Sequence, residues 1–169
     1  VMIKVGGQDT KGGDSILDPT FENNIEGFSS LGFKIGIYYY SHASNIKEAK
    51  EQAKWVISKV SKYNIDLPIV FDWENWSNFN TYNVSLHKLN AISDTFISEI
   101  ENYGYKGMLY GSKYYLENIW NVDNKNIWLA NYATKTEYDK EYMMWQMCSD
   151  GKIDGIDSYV DIDILYKNK

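Results

Sequence analysis

The chain has 169 residues, enough for one domain with a sizeable core, and 44% of them are hydrophobic, which excludes an intrinsically disordered protein. The formal net charge is −6 and no basic stripe interleaved with aromatic residues is present, so nucleic acid is not expected as a partner. No apolar stretch is long enough to span a bilayer, and a membrane is likewise not expected as a partner.

The N-terminal region begins with a predicted strand at residues 1–5, followed by a glycine-rich segment, residues 6–13, that we interpret as a flexible turn. A helix is predicted next, with Asp18 as its N-cap, Pro19 at its first position and Gly32 after its end. The apolar face of this helix is expected to consist of Phe21, Ile25, Phe28 and Leu31.

The middle of the chain alternates strands and helices. A strand is predicted at residues 34–40, followed by a helix that begins at Ser44 or Asn45 and ends near Tyr63. A strand buried on both faces follows at residues 68–72. The helix residues expected to face inward are Ala49, Ala53, Val56, Ile57 and Val60.

A further helix is predicted to begin after Ser85 and to end at Gly104. A strand at residues 107–111, a short helix at 112–120 and a strand at 127–132 come after it. The apolar face of the long helix is expected to consist of Leu89, Ile92, Phe96 and Ile100.

Two more strands, at residues 142–148 and 159–165, are predicted without a helix between them. The earlier alternation of strands and helices predicts a parallel sheet wound by crossover helices. In a β/α barrel of this kind, functional residues lie at the C-terminal ends of the strands.

Two acids stand at the end of the buried strand, in the segment PIVFDWEN. Asp72 and Glu74 are two residues apart, so on a strand they share one face. The pair suits glycoside cleavage, in which one carboxyl donates a proton and the other stabilises the positive charge on the sugar. Alternatively, the two acids are solvated and simply end the strand. Tyrosines, whose rings can stack on sugars, stand at other strand ends: Tyr38, Tyr40, Tyr110 and Tyr132.

The cysteine and histidines indicate no further chemistry. Cys148 is the only cysteine and lies in an apolar segment, so a buried thiol and no disulfide are expected. His42 and His87 have no partners at metal-ligand spacing, and no metal site is predicted.

The order of short motifs resembles the bacterial and phage lysozymes of glycoside hydrolase family 25, the N-acetylmuramidases. The resemblance covers nearly the whole chain, and the Asp-x-Glu signature of the family matches Asp72-Trp73-Glu74. The other motifs that resemble the family are Val1–Lys4, Asp18-Pro19-Thr20-Phe21, Gly36–Tyr40, Gly107–Gly111, Trp128–Tyr132, Trp145-Gln146, Gly155-Ile156 and Val160-Asp161.

This resemblance implies an irregular, TIM-like β/α barrel with parallel strands and antiparallel strands near the C-terminus, formed by residues 1–169 as a single catalytic domain. It implies cleavage of the β-1,4 bond between N-acetylmuramic acid and N-acetylglucosamine in the glycan strands of peptidoglycan, without metal or cofactor. The protein is then expected to be a monomer that acts outside the cell or at the cell wall, as a phage lysin or an autolysin.

By matching position, the resemblance assigns Glu74 as the general acid and Asp72 as the residue that assists at the anomeric centre or orients the acetamido group. It assigns Asp161 as a supporting carboxylate, with Asp163 on the same strand face as the alternative. Tyr40 is left open between a core residue and a site residue. The residues expected to line the substrate cleft are Lys4, Tyr38, Tyr110, Trp128, Tyr132 and Gln146.

The sequence departs from the family at its start. Family members open with a strand that bears Asp-Val-Ser, and no such strand precedes Val1 here, so we expect a barrel that lacks its opening strand. This departure favours an alternative, a catalytically impaired peptidoglycan-binding module of the same fold, whereas the acid pair favours the enzyme. A structural barrel domain without a role in glycan binding is a third hypothesis.

Overall fold

The computed structural model of the chain describes residues 1–166. Contacts group the chain into two units, one formed by Val1–Leu109 and one that starts at Tyr110. Every helix among the described residues is too short or too polar to span a lipid bilayer.

The strands of the first unit are β1 (Met2–Gln8), β2 (Ser15–Leu17), β3 (Gly36–Tyr40), β4 (Ile69–Asp72) and the beginning of β5 (Gly107–Ser112). Their order in the sheet is β2-β1-β3-β4-β5. The β1–β2 pair is antiparallel, and the other pairs are parallel. The parallel sheet predicted from the strand and helix alternation is therefore confirmed.

The interpretation of residues 6–13 as a flexible turn is partly wrong, because β1 continues to Gln8 and pairs with β2. Gly6 has a φ of 153°, a backbone conformation that residues other than glycine rarely adopt. A Cβ atom at this position would also meet the carbonyl oxygen of Ile16. The glycines in this segment therefore allow two strands to approach closely, rather than making the backbone flexible.

The helices of the first unit are α1 (Phe21–Ser30), α2 (Ile46–Val60), the one-turn α3 (Phe79–Tyr82) and α4 (Leu86–Asn102). A 3₁₀ turn at Trp76–Asn78 precedes α3. Neither α3 nor this turn is predicted from the sequence, because each is too short to show a hydrophobic period.

Two helix starts agree with prediction, and one does not. Asn45 caps α2 by accepting a hydrogen bond from the backbone N–H of Glu48, and Ser85 caps α4 in the same way with Lys88. The N-cap of α1 is Thr20 rather than Asp18, and the Asp18 carboxylate instead accepts hydrogen bonds from the backbone and hydroxyl of Thr20.

The predicted inward faces of α2 and α4 are confirmed, since every residue named for them is buried. Burial of each large apolar side chain contributes about 1.5–3 kcal/mol relative to exposure. The prediction for α1 is wrong at Leu31, which is 73% exposed because the helix ends at Ser30 and Leu31 lies beyond its apolar face.

The second unit contains the end of β5, the short helix α5 (Lys113–Asn118), β6 (Ile127–Ala130), β7 (Met144–Gly151) and β8 (Val160–Leu165). β6 and β7 are parallel, whereas β7 and β8 are antiparallel. The last two strands follow each other without a helix between them, as predicted. The pairing register of β7 with β8 shifts twice, once between Gln146 and Cys148 and once between Cys148 and Gly151.

Candidate active site

The end of β4 carries the two acids. All four residues of β4 are buried, because the strand lies between β3 and β5, and Asp72 pairs with Tyr40 of β3. Asp72 is 6% exposed and the intervening Trp73 is 1% exposed, whereas Glu74 is exposed. The side chain of Glu74 forms a hydrogen bond with that of Asp72, so the two carboxyls meet, but β4 ends at Asp72 and Glu74 lies beyond the strand, so a shared strand face is not the reason.

Burial raises the pKa of Asp72 well above its ordinary value, and the negative charge of Glu74 and its hydrogen bond raise it further. The Lys4 ammonium opposes this shift in the pKa of Asp72. Two carboxyl groups this close ionise together only at a large electrostatic cost, which favours retention of one proton by the pair. Among residues 1–166, no group donates a hydrogen bond to the buried Oδ1 atom of Asp72.

Lys4, Tyr38 and Tyr40 surround the acid pair from β1 and β3. Lys4 pairs with Tyr38 in the sheet register, and the Lys4 ammonium lies 5.6 Å from the centre of the Tyr40 ring. Burial raises the pKa of Tyr40, and the charges of Asp72 and Glu74 raise it further. Tyr40, which the sequence left open, therefore faces the acids, and Tyr38 lies half-buried two residues earlier on the same strand face.

An aromatic cluster that the sequence analysis missed lies behind the acids. The Trp73 ring meets those of Trp76 and Tyr82 edge-on, at centroid distances of 4.9 and 5.1 Å. The His42 Nδ1 atom lies 2.6 Å from the Tyr82 hydroxyl, and burial lowers the pKa of His42. No signal in the sequence pointed to this cluster, since it depends on the unpredicted one-turn helix α3.

In the second unit, the predicted substrate-binding residue Gln146 contacts two others, and a third packs against one of these. The buried Gln146 side chain accepts hydrogen bonds at Oε1 from the hydroxyls of Tyr110, at 2.9 Å, and Tyr132, at 3.1 Å. The Tyr110 ring meets the Trp128 ring edge-on at 5.0 Å. Tyr132 is 57% exposed, which leaves a large part of its ring accessible.

The two acids of β8 occupy different surroundings. Asp163 lies opposite Gln146 in the sheet and accepts a hydrogen bond of 2.7 Å from Trp128 Nε1, whereas Asp161 is exposed. Burial raises the pKa of Asp163 to about 6, against the lowering effect of the Trp128 hydrogen bond. The structure thus brings Asp163, the alternative in the sequence analysis, together with the predicted binding residues. The role assigned to Asp161 stays a prediction.

The chemistry available in the first unit is proton donation from a carboxyl pair at a strand end. The carboxyl of Glu74 is exposed and accessible, while that of Asp72 is buried and has one oxygen without a donor within residues 1–166. No group of three or more His, Cys, Asp or Glu side chains within residues 1–166 is arranged to hold a metal ion.

Residues 3–156 match the family model described as Glycosyl hydrolases family 25. No curated protein sequence is significantly similar to the chain.

Solved structures with the same fold include enzymes from several bacteria. The modular autolysin LytC from Streptococcus pneumoniae, in complex with a synthetic peptidoglycan ligand, is 24% identical with a TM-score of 0.76, over 98% of this chain and 40% of the LytC chain. The spore cortex lytic enzyme SleM from Clostridium perfringens is 19% identical with a TM-score of 0.80, over 96% of this chain and 58% of the SleM chain.

A bacterial lysozyme from Streptomyces coelicolor is 18% identical with a TM-score of 0.76, over 98% of this chain and 80% of that chain. These similarities show that the chain has the mixed α/β, TIM-like fold of these structures, which confirms the predicted fold class. The chain spans about 40% of the length of LytC and 58% of the length of SleM.

Proposed function

The chain belongs to the glycosyl hydrolases of family 25, and from this premise we propose that it is a peptidoglycan hydrolase of the muramidase type. The bond cleaved is the β-1,4 bond between N-acetylmuramic acid and N-acetylglucosamine. The observation that carries the proposal is the hydrogen-bonded pair of Asp72 and Glu74 at the end of β4, with one carboxyl buried and the other exposed.

Glu74 is the general acid in this proposal. Its carboxyl is exposed, so a glycosidic oxygen can approach it, and its contact with Asp72 means that the pair holds a proton to donate. Glu74 gives this proton to the leaving oxygen as the bond to the anomeric carbon breaks.

Asp72 assists the reaction from its buried position. Its Oδ1 atom has no donor among the described residues, and a buried acceptor without a donor costs about 1–3 kcal/mol. In this proposal the N–H of a substrate acetamido group supplies the missing donor once the Asp72 side chain turns toward the bound sugar. Asp72 then holds this acetamido group against the anomeric carbon and stabilises the charge that develops on it.

Aromatic and polar side chains bind the sugars in this proposal. In the first unit these are Lys4 and Tyr38, next to the acid pair. In the second unit they are Tyr110, Trp128, Tyr132 and Gln146, which are connected by hydrogen bonds and ring contacts. The accessible Tyr132 ring provides a platform on which a sugar ring can stack.

A supporting carboxylate on β8 completes the proposed set. Asp163 has the more favourable surroundings, since its hydrogen bond from Trp128 connects it to the predicted sugar-binding residues. Asp161, which the family motif assigns, is the alternative. Comparison of Asp161→Asn with Asp163→Asn decides between them, because the variant of the supporting carboxylate loses more turnover.

The structural neighbours support the choice of substrate and site of action. LytC is an autolysin whose structure contains a synthetic peptidoglycan ligand, and SleM is a spore cortex lytic enzyme. The proposal accordingly includes action outside the cell or at the cell wall, as a secreted protein or a released phage lysin, with peptidoglycan glycan strands as its partner.

The experiment is digestion of purified peptidoglycan, with identification of the new reducing ends after borohydride reduction and acid hydrolysis. Muramitol as the new end product supports the proposal. Glucosaminitol would contradict the bond assignment. Sedimentation of the protein with peptidoglycan without release of any reducing ends would instead support the peptidoglycan-binding module.

A further inference from the structure

A short segment at the end of β3 holds the backbone that carries the acids. The Ser41 N–H donates to the backbone oxygen of Asp72 at 2.7 Å, and the Ser41 oxygen accepts from the Asn75 side chain at 3.1 Å. The Trp73 indole N–H donates to the backbone oxygen of Ala43 at 3.3 Å. Three hydrogen bonds thus connect residues 41–43 to residues 72–75. They are made by Asp72 and Trp73, before Glu74, and by Asn75, after it.

The segment formed by residues 41–43 is itself held from the opposite side, by two glutamines. The Ser41 hydroxyl donates to Gln52 Oε1 at 2.7 Å and accepts from the Ala43 N–H at 3.0 Å. The His42 N–H donates to Gln8 Oε1 at 3.1 Å, and Gln52 Nε2 donates to the same oxygen at 2.5 Å. Both ends of the Gln52 amide are therefore used, one toward Ser41 and one toward Gln8.

Gln52 is unusual in its position on α2. The helix face toward the sheet is otherwise formed by apolar residues such as Ala49, Ala53 and Val56, and Gln52 is 3% exposed among them. Burying an amide costs free energy, and hydrogen bonds inside the protein at best offset that cost. An apolar side chain of the same volume would therefore stabilise the fold about as well. What distinguishes Gln52 from an apolar side chain here is its pair of hydrogen bonds, to Ser41 and to Gln8.

We propose that Gln52 is a positioning residue of the hydrolytic site, which acts through Ser41 and Gln8 to hold the backbone of Asp72 and Glu74 in register. The inference rests on the proposed function of the acid pair. Gln52 itself touches neither the acids nor the substrate in this arrangement.

The consequence for the acids concerns their contact. The charged and titratable groups that face Asp72 are Glu74, Lys4 and Tyr40. Only the contact with Glu74 depends on the turn after β4, because Lys4 and Tyr40 lie on β1 and β3. Loss of the Gln52 hydrogen bonds loosens this turn and moves the two carboxyls apart. The hydrogen bond between them then weakens, and the charge of Glu74 raises the pKa of Asp72 less.

The test is Gln52→Met, which keeps the side-chain volume and removes both hydrogen bonds. Displacement of a reacting group by about 1 Å costs up to 100-fold in rate, so kcat on soluble glycan oligomers should fall about 10- to 100-fold. KM should change little, since no sugar-binding residue is altered. In the pH profile of kcat, the transition caused by titration of the acid pair should move to lower pH. The reason is that a more distant Glu74 charge raises the pKa of Asp72 less.

Two further variants keep the experiment decisive. Ser41→Ala removes the same connection from its other end and should give the same fall in kcat and the same pH shift, even if Gln52→Met does not fold. Val56→Ala, on the same helix, removes buried apolar volume without touching the network. It should lower the melting temperature while it leaves kcat and the pH profile unchanged.

The inference is overturned if Gln52→Met and Ser41→Ala behave like Val56→Ala, with lower stability but unchanged kcat and pH profile. A second readout does not require turnover. The indole N–H resonance of Trp73 reports its bond to Ala43, and the carboxyl carbon of Asp72 reports its titration in NMR spectra. If the wild-type protein hydrolyses no peptidoglycan but both signals shift in Gln52→Met, the positioning role stands and the proposed function fails.

Discussion

At the scale of single residues, the acid pair shows how burial distinguishes two side chains of similar chemistry. Asp72 is 6% exposed and has its pKa raised mainly by burial, whereas Glu74 two residues later is exposed. The difference follows from the end of β4, where Asp72 still lies within the sheet and Glu74 lies beyond it. The exposed carboxyl is accessible from solvent, as the proposed general acid must be, whereas the pKa of the buried carboxyl is raised by its surroundings.

Replacement of Glu74 tests the general acid. Glu74→Gln keeps the size of the side chain but has no proton to donate, so turnover should fall by at least about 100-fold, the usual scale for a lost general acid. Reducing-end release measures the loss, and circular dichroism checks the fold. Near-normal hydrolysis by a folded Glu74→Gln protein would show that another group donates the proton.

Replacement of Asp72 should separate stability from activity. The pKa of Asp72 is raised in the folded protein, so its contribution to stability is complete below the unfolded pKa near 3.8 and is lost as pH rises through the folded pKa. Asp72→Asn has no such loss. Its melting temperature should exceed that of the wild type at pH 7 and match it near pH 4, while turnover falls.

The exposed Asp123→Asn serves as the control for this measurement, because its side chain is outside any buried site. A melting-temperature difference for Asp72→Asn that is the same at both pH values would contradict the assignment of Asp72 as a buried carboxyl whose pKa is raised in the folded protein.

The role proposed for Asp72 also predicts the stereochemistry. If Asp72 orients the substrate acetamido group for attack on the anomeric carbon, the reaction proceeds with net retention through the substrate's own acetamido group. The first product should keep the β configuration, and a thiazoline mimic of the cyclic intermediate should inhibit competitively. An α-configured first product in time-resolved NMR, before mutarotation, would rule out this mechanism and make Asp72 a base.

At the scale of secondary-structure elements, the β1–β2 hairpin and α2 form the support of the acid-bearing strand. β2 pairs with the end of β1, and Gln8, at the end of β1, connects through Gln52 to the segment after β3. The hairpin requires close approach of Gly6 to Ile16, so a side chain at Gly6 disturbs the element as a whole.

Substitution of two glycines tests this requirement. A Cβ at Gly6 would meet the Ile16 backbone in a strained conformation, so Gly6→Ala should destabilise the protein by about 1–3 kcal/mol, the usual cost of overpacking. Gly27, inside α1, has open space around its Cβ position, and Gly27→Ala should stabilise by about 0.5–1 kcal/mol through helix propensity. Urea unfolding measures both. Equal effects of the two substitutions would show that the hairpin tolerates a side chain.

At the scale of the whole molecule, the net charge bears on how the chain would approach the substrate of the proposed function. The net charge is −6 and the isoelectric point is about 4.9, so the protein is negative at neutral pH. Cell walls that carry anionic polymers repel such a protein over a distance set by the Debye length, about 10 Å at 0.1 M salt. Under the proposed function, this repulsion lowers the rate of encounter with such walls without changing the chemistry of the acid pair.

Salt should therefore accelerate the reaction on intact walls. We expect the initial lysis rate on walls rich in anionic polymers to rise severalfold between about 0.01 and 0.15 M salt, where the Debye length shortens from about 30 to 8 Å. Walls stripped of these polymers should show little change, and turbidity measurements compare the two. A salt effect of equal size on stripped walls would assign it to the protein itself rather than to the wall charge.

The sequence by itself determined the elements with strong local patterns. The faces of α2 and α4, the caps Asn45 and Ser85, the buried strand before Asp72 and the parallel sheet all follow from periodicity and turn chemistry, which act over a few neighbouring residues. The fold class and the proximity of the two acids were also predictable. The catalytic roles of those acids remain predictions.

Only the tertiary structure decided the features that join distant parts of the chain. The pairing of Gly6 with the β2 strand, the connection of Gln52 to Ser41 and Gln8, and the hydrogen bond from Trp128 to Asp163 depend on partners far apart in sequence. A local pattern marks a residue as polar or apolar but does not identify the group that it will meet. The partner is set by how strands and helices pack, because a buried polar group must find its hydrogen bond wherever the fold places one.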